Sequence, residues 1–351
     1  MVLVLAIAVF IWGLGHLLGF PRNARGLMIA LLYVAVLAVH VVFPEGHALR
    51  GALGGSLGEW VSIGFLGGVV WIYTVGLKRL RKRVRPENQP KQEDAPTSSE
   101  LERNARHIVL RELGGPGQKR LKSARVLVVG AGGIGSPALQ YLAASGVGTI
   151  GVIDDDVVEN SNLQRQVIHT DERIGMPKVF SAEQAMRAQN PFVMVRPYHR
   201  RLTSDIAREL FEDYDLVIDG TDNSDTRYLV NQTAVEAGIS LVSAALSQWE
   251  GQVSVFDPSR GAPCYACVFP TPPADGLAPS CAEGGVYSPL AGVVGTMTAA
   301  EAIKVLSGAG EALIGRMMIY DALYSEVRTV SIDRRDDCSV CGRVKATTGG
   351  S

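Results

Sequence analysis

Residues 126–137 read VLVVGAGGIGSP, four apolar residues running into a glycine-rich turn, with the helix-like run ALQYLAAS directly behind them. A strand, a turn whose N–H groups can cradle phosphate, and a helix N-terminus have this sequence form. Gly130, Gly132 and Gly135 match G-x-G-x-x-G. Asp154 ends the next apolar run, TIGVID, 24 residues after Gly130. A carboxylate at that place suits a ribose hydroxyl. From these residues alone the stretch reads as a nucleotide-binding fold, with NAD as the default ligand.

Outward from this stretch, apolar runs alternate with amphipathic ones. VLVV (126–129), TIGVID (149–154), DLVIDG (215–220) and LVSAAL (241–246) are strand-like; VFSAEQAMRAQN, SDIARELFEDY and RYLVNQTAVEAG are helical in pattern. Repeated alternation predicts an α/β fold, a doubly wound and mostly parallel Rossmann-like sheet. After residue 250 the runs QVSVF, MMIYDAL and EVRTVSI follow with a single helix among them, GTMTAAEAIKVLSG. An antiparallel extension is expected there.

The residues behind the glycine turn shift the reading away from NAD. NSNLQRQ (160–166) holds Arg165, and Lys178 follows in GMPK. Two cations beside nucleotide phosphates are not needed for hydride transfer. Triphosphate chemistry does need them, because charge must be neutralised as pyrophosphate leaves. DGTDN (219–223) places Asp222 at a strand C-terminus, where it could hold Mg²⁺. Taken singly, each is simply explained as a surface ion pair or, for Asp222, a helix cap.

Residues 1–85 have a different character. The runs 1–20, 27–43 and 60–77 contain no Asp, Glu, Lys or Arg. Each approaches the roughly 20 residues that cross a bilayer, so three transmembrane helices are expected. No basic region precedes the first run and no small-residue cleavage site follows it, which argues against a signal peptide. Arg22 and Arg25 lie between the first two runs, and KRLRKRVR follows the third, whereas residues 44–59 carry only Arg50. The positive-inside rule then sets the N-terminus outside and everything after residue 78 in the cytoplasm of a multi-pass inner (cell) membrane protein. His16 and His40 fall near span ends, at expected interfacial positions. Residues 86–101, PENQPKQEDAPTSSEL, read as a flexible linker, and 346–351 as a disordered tail. The part after residue 85 has 25 Lys and Arg against 33 Asp and Glu and no basic stripe, which speaks against nucleic-acid binding.

Five cysteines remain. Cys264 and Cys267 form one C-x-x-C, Cys338 and Cys341 another, and Cys281 stands alone. In a reducing compartment disulfides are disfavoured, and two such pairs fit one tetrahedral Cys₄ zinc site joining distant segments. Cys281 is either an idle thiol or a reactive one.

With these residues assembled, the chain from about 102 to 342 resembles the MoeB/ThiF/HesA family, the bacterial branch of the ubiquitin-activating-enzyme superfamily. RHIVL, GxGGIGSP, LAASGVG, NSNLQRQ, GMPK, DGTDN, GQVSVF, CYAC, PLAGVVGT, EAIK and CSVCG occur in the family's order and spacing. The resemblance implies an adenylyltransferase domain over 102–345. That activity uses ATP to adenylate the C-terminal Gly-Gly carboxylate of a ubiquitin-like sulfur-carrier protein, and a sulfur donor such as a cysteine desulfurase later makes the thiocarboxylate. It implies that Gly130, Gly132, Gly133 and Gly135 form the nucleotide loop and that Asp154 holds the ribose. Asp156, Gln164 and Asn223 join the nucleotide-binding set. Asn162, Arg165 and Lys178 would act on the phosphates, Asp222 on Mg²⁺. Arg106 corresponds to an arginine that reaches a partner subunit's ATP site, which implies a homodimer; the family's R-Y-x-R-Q reads R-N-A-R-H at 103–107 and lacks the Tyr and Gln. Cys281 lies in PSCAEGGV, where some members carry a sulfur-transfer cysteine. The carrier implied is the molybdopterin-synthase small subunit, with the thiamine-pathway carrier as the alternative. A nicotinamide oxidoreductase and a catalytically silent membrane scaffold are the rival readings.

Overall fold

The computed structural model describes residues 2–18, 20, 22–65, 67–69, 73, 96–272 and 284–344. Two units divide the chain, Met1–Lys91 and Gln92–Ser351.

In the larger unit, the apolar runs build one eight-stranded sheet. Its strands are β1 (Arg125–Val129), β2 (Thr149–Asp154), β3 (Met194–His199), β4 (Leu216–Asp219), β5 (Ser240–Leu246), β6 (Glu250–Phe256), β7 (Arg316–Asp321) and β8 (Glu326–Ser331). The spatial order is β3-β2-β1-β4-β5-β6-β7-β8. β1 to β5 pair in parallel, and β6, β7 and β8 join antiparallel, as the change of pattern after residue 250 predicts. The strand β3, MVRPYH, was not among the apolar runs singled out from the sequence. It is an edge strand with a proline and only Val195 fully buried, so its apolar signal is weak.

Both faces of the parallel half are covered. Val126, Val128, Ile150, Val152, Leu216 and Ile218 pack on one side with Leu139, Leu142, Val179, Met186, Leu290 and Val294. Leu127, Val129, Ile153 and Val217 pack on the other with Phe211, Val230 and Ala234. Alternate residues of a strand thus enter different cores, which explains why these strands read as continuous apolar runs. Each such buried side chain contributes roughly 1.5–3 kcal/mol.

The helix Ser288–Ser307 crosses the first of these cores. A Cβ on Gly295 would lie 2.3 Å from the Ile134 carbonyl and 2.4 Å from Pro137 Cγ, so only glycine lets this helix touch the end of the glycine turn. Its length and hydropathy would also suit a membrane span, but half of it is buried within the fold. The residues before the domain are more ordered than a linker. Ser98–Arg103 is a helix opened by a Thr97/Glu100 capping box, and the buried Glu100 pairs with Lys122 at 2.8 Å. The expected linker therefore stops short of residue 97, because T-S-S-E is itself a helix-start signal. Of the rest of it, residues 86–95 lie outside the described residues, as does the tail 346–351.

The smaller unit holds the helices Val2–Leu17, Arg22–Val42 and Ala48–Leu53. Here the sequence expectation of three spans is corrected. Among its described residues, one stretch, Arg25–Val42, is long and apolar enough to cross a membrane. Leu3–Gly15 and Leu57–Val69 are shorter apolar helices, and the expected third span lies partly outside the described residues. Arg22 and Arg25, read as loop residues, fall inside the second helix. His40 is 3% exposed, with its ring nitrogens 2.9 Å from the Val36 carbonyl and 3.2 Å from that of Gly55. Trp60 Nε1 donates to the Gly54 carbonyl at 2.9 Å, so two rings hold one turn inside this unit. The His16 side chain lies outside the described residues.

Candidate active site and cysteine cluster

The strand order reverses direction at β1, which lies between β2 and β4. In a doubly wound sheet the crevice outside such a switch point is where a ligand binds. A cleft of about 750 Å³ opens there, at the C-terminal ends of the strands. The glycine turn forms its floor. Gly130 has φ +92°, and a Cβ there would press on the Gly220 carbonyl at 3.3 Å. A Cβ on Gly135 would lie 1.9 Å from the Gly130 carbonyl, so this glycine closes the turn upon itself and does not line the cleft. Gly132 and Gly133 do line it. The helix Gly135–Ala144 that follows has no side-chain cap, leaving backbone N–H groups for an anion.

Asp154 is tied to this turn. Its Oδ2 accepts from the Ala131 N–H and its Oδ1 from the Asp156 N–H, each at 2.8 Å. Burial pushes its carboxyl above the ordinary value, against the pull of Lys178 and these two donors. Lys178, whose side chain is only 7% exposed, pairs through Nζ with Asp156 Oδ2 at 2.6 Å. Arg165 lines the cleft and donates to the Ser161 carbonyl at 3.1 Å. Asn162 lines it too, with its Nδ2 3.3 Å from Glu159 Oε2.

On the opposite wall, the turn after β4 is held by the buried Asp219. Its carboxylate accepts from the Thr221 N–H at 3.0 Å, from Thr221 Oγ1 at 2.7 Å and from Ser243 Oγ at 3.2 Å, and faces Arg227 at 3.7 Å. That network presents Asp222 to the cleft. The simple alternative for Asp222, a helix cap, is not what forms: Asn223 caps Ser224–Ala237 by accepting from the Thr226 N–H at 2.9 Å. Asp222 makes no hydrogen bond or ion pair among the described residues, so its carboxylate is available to a cation.

Two expected residues lie elsewhere. The Gln164 side chain is exposed and outside the cleft lining; Gln166, buried, stands in the lining instead. Both are glutamines of one motif, and only the path of the turn distinguishes them. Arg106 is exposed in the short helix Ala105–Ile108 and does not line its own chain's cleft. Cys281 lies outside the described residues. The sequence reading also passed over Arg200, Arg201 and Arg227, which line the cleft. The first two follow the unnamed strand β3, so the signal that would have found them went with it.

The second constellation joins the segment after β6 to that after β8. Cys264, Cys267, Cys338 and Cys341 are buried free thiols whose sulfurs lie within 4.8 Å of one another. Sγ–Sγ separations are 3.9 Å (264–267), 3.7 Å (264–338) and 3.4 Å (267–341). A tetrahedron with metal–sulfur bonds of about 2.3 Å has edges of roughly 3.8 Å, so the set fits a metal ion. Outer contacts support it: the Arg335 N–H lies 3.5 Å from Cys267 Sγ, and Asn231 Nδ2 lies 3.8 Å from Cys264 Sγ. Asn231 also accepts from the Tyr265 N–H at 2.8 Å, tying the cluster to the helix that Asn223 caps.

The comparisons agree with this arrangement. The model of the ThiF family matches residues 104–340. The chain is 50% identical over 250 residues to the sulfur carrier protein adenylyltransferase of Thermus thermophilus, covering 70% of this chain and 92% of that protein. It is 50% identical over 240 residues to the probable adenylyltransferase/sulfurtransferase MoeZ of Mycobacterium tuberculosis, covering 68% of this chain but 61% of the relative. Among solved structures, E. coli MccB with ATP superposes with a TM-score of 0.58 at 23% identity, over 65% of this chain and 69% of that one, a likeness of fold. On its cleft, its paired cysteines and these matches, the chain belongs to the ThiF family.

Proposed function

We propose that the protein adenylates the C-terminal Gly-Gly carboxylate of a ubiquitin-like sulfur-carrier protein with ATP. The observation that carries this is one cleft combining an uncapped glycine turn, Arg165 and Lys178, and the unpaired Asp222. The relatives named above as adenylyltransferases support the same reading. The carrier's carboxylate is ionised at neutral pH, so no general base is required. Its oxygen bonds to the α-phosphorus as the bond from that phosphorus to the pyrophosphate oxygen breaks, giving acyl-adenylate and pyrophosphate. The chain's task is positioning and charge neutralisation. In this reading Asp154 holds the ribose, and Asn162, Arg165 and Lys178 act on the phosphates. Mg²⁺ held by Asp222 would add positive charge against the triphosphate. Zinc is the metal that four buried thiolates fit best, in a structural role.

Around this core the reading is a homodimer in which Arg106 serves the partner's cleft, a cysteine desulfurase as sulfur donor, and the N-terminal helices as an anchor in the cell membrane with the catalytic unit in the cytoplasm. The carrier favoured is the molybdopterin-synthase small subunit, with the thiamine-pathway carrier second. The deciding test is ATP–pyrophosphate exchange with each carrier, followed by mass detection of the thiocarboxylate. Exchange with neither carrier would sink the proposal and leave the oxidoreductase or scaffold readings.

A further inference from the structure

Beside Asn162, the wall of the cleft holds a buried acceptor that nothing in the fold satisfies. Gln166 is 3% exposed, and its Oε1 has no hydrogen-bond partner among the described residues. Its other amide atom, Nε2, donates to Asn162 Oδ1 at 2.7 Å. A buried orphan of this kind costs free energy, and turning the amide over would be an obvious escape. What prevents the turn is next door. Asn162 Nδ2 faces Glu159 Oε2 at 3.3 Å, and an ionised carboxylate can only accept. Glu159 therefore requires the NH₂ of Asn162 on its own side, which leaves Oδ1 toward Gln166. Gln166 must then present NH₂ to it, and its own oxygen is left over. The orientation of both amides follows from one acceptor-only group. The backbone supports the same arrangement: the Gln166 N–H donates to the Asn162 carbonyl at 3.0 Å, and the Asn162 N–H to the Glu159 carbonyl at 3.0 Å.

We infer that Glu159 and Gln166 form a polarity lock that fixes the amide of Asn162, and that Gln166 is a positioning residue for the nucleotide's phosphates. Asn162 has two N–H donors, and Glu159 takes one. The lock keeps the second from being traded for an oxygen, which phosphate would repel. The unsatisfied Gln166 Oε1 is the stability given up to hold this orientation. Gln166 itself acts through Asn162 and need not touch the ligand. The inference deepens the proposed function and rests on it for the identity of the phosphates as those of ATP.

The test uses the full-length protein with two substitutions, Gln166→Met and Gln166→Glu, titrated separately with ATP and with adenosine. Gln166→Met removes both the orphan acceptor and the donor to Asn162. It should keep or raise Tm, while ATP binding weakens about fivefold and adenosine binding stays unchanged. Gln166→Glu sets an acceptor against Asn162 Oδ1. It should weaken ATP binding about tenfold, and Glu159→Gln added to it should restore its Tm, since position 159 can then donate. Equal losses for ATP and adenosine would show general damage and overturn the lock, as would unchanged ATP binding in the Met variant. These outcomes differ from failure of the functional reading, in which the unmodified protein itself would not bind ATP or would adenylate no carrier.

Discussion

The cleft and the cysteine cluster are two polar constellations of the larger unit, and they are built in opposite ways. In the cluster every functional atom faces another: four sulfurs lie within 4.8 Å, backed by Asn231 and Arg335. In the cleft the functional groups face a volume. Asp222 is unpaired among the described residues, the helix behind the glycine turn has no side-chain cap, and Lys178 is held by a mostly exposed partner, Asp156. A closed set stabilises the fold and an open one spends stability on a ligand. Substitutions in the two regions should therefore separate activity from stability.

The largest effect is expected at Asp222. Asp222→Ala removes an exposed carboxylate with no hydrogen bond or ion pair among the described residues, so exchange should fall about 10²–10³-fold with Tm unchanged. Exchange that persists at saturating Mg²⁺ would take Asp222 out of the mechanism and blur the contrast. In the cluster, purified protein should contain about one zinc per chain, and Cys338→Ser should lower stability by about 3 kcal/mol through loss of the metal. Metal analysis and a thermal melt read both. A metal-free preparation with an unchanged melt would show that the cluster does not stabilise the fold.

A smaller effect follows from His169, which underpins the glycine turn. Its Nε2 lies 3.0 Å from the Ala131 carbonyl and its Nδ1 2.9 Å from Ser181 Oγ. Burial pushes its pKa down to about 4, against an ordinary value of 6.5. Between those values the unfolded chain binds a proton that the folded chain does not. Stability should thus be full above pH 6.5 and fall as pH drops toward 4, by at most about 1.4 kcal/mol per unit. Denaturation midpoints at pH 7 and 5 measure the fall, and His169→Gln should flatten it. The smallest effect is expected at Cys281. Cys281→Ala should leave exchange near normal, because adenylation uses phosphate and metal contacts. With the molybdopterin-synthase carrier, thiocarboxylate formation should survive too. Its loss with the thiamine carrier alone would favour that pathway.

Much of the larger unit was legible in the chain. Strands buried on both faces read as continuous apolar runs, and Gly130 and Gly135 announce a turn that no side chain could enter. The C-x-x-C spacing brings two thiols together within each pair by local geometry. These features are determined by neighbours in sequence, where steric and periodic rules act. The rest was decided by contacts between distant segments. Edge strand β3, with its proline and partial burial, carries no strong periodicity, and Arg200 and Arg201 were missed with it. Whether Gln164 or Gln166 faces the cleft depends on how the turn packs on the glycine loop, because both share one motif. That Asn223 caps the helix and Asp222 does not depends on Asp219, Ser243 and Arg227 holding the turn. The helix Ser288–Ser307 has the composition of a membrane span, and only its burial beside the glycine turn makes it a core helix. Hydropathy measures what a segment can bury, while the tertiary structure supplies what it is buried against.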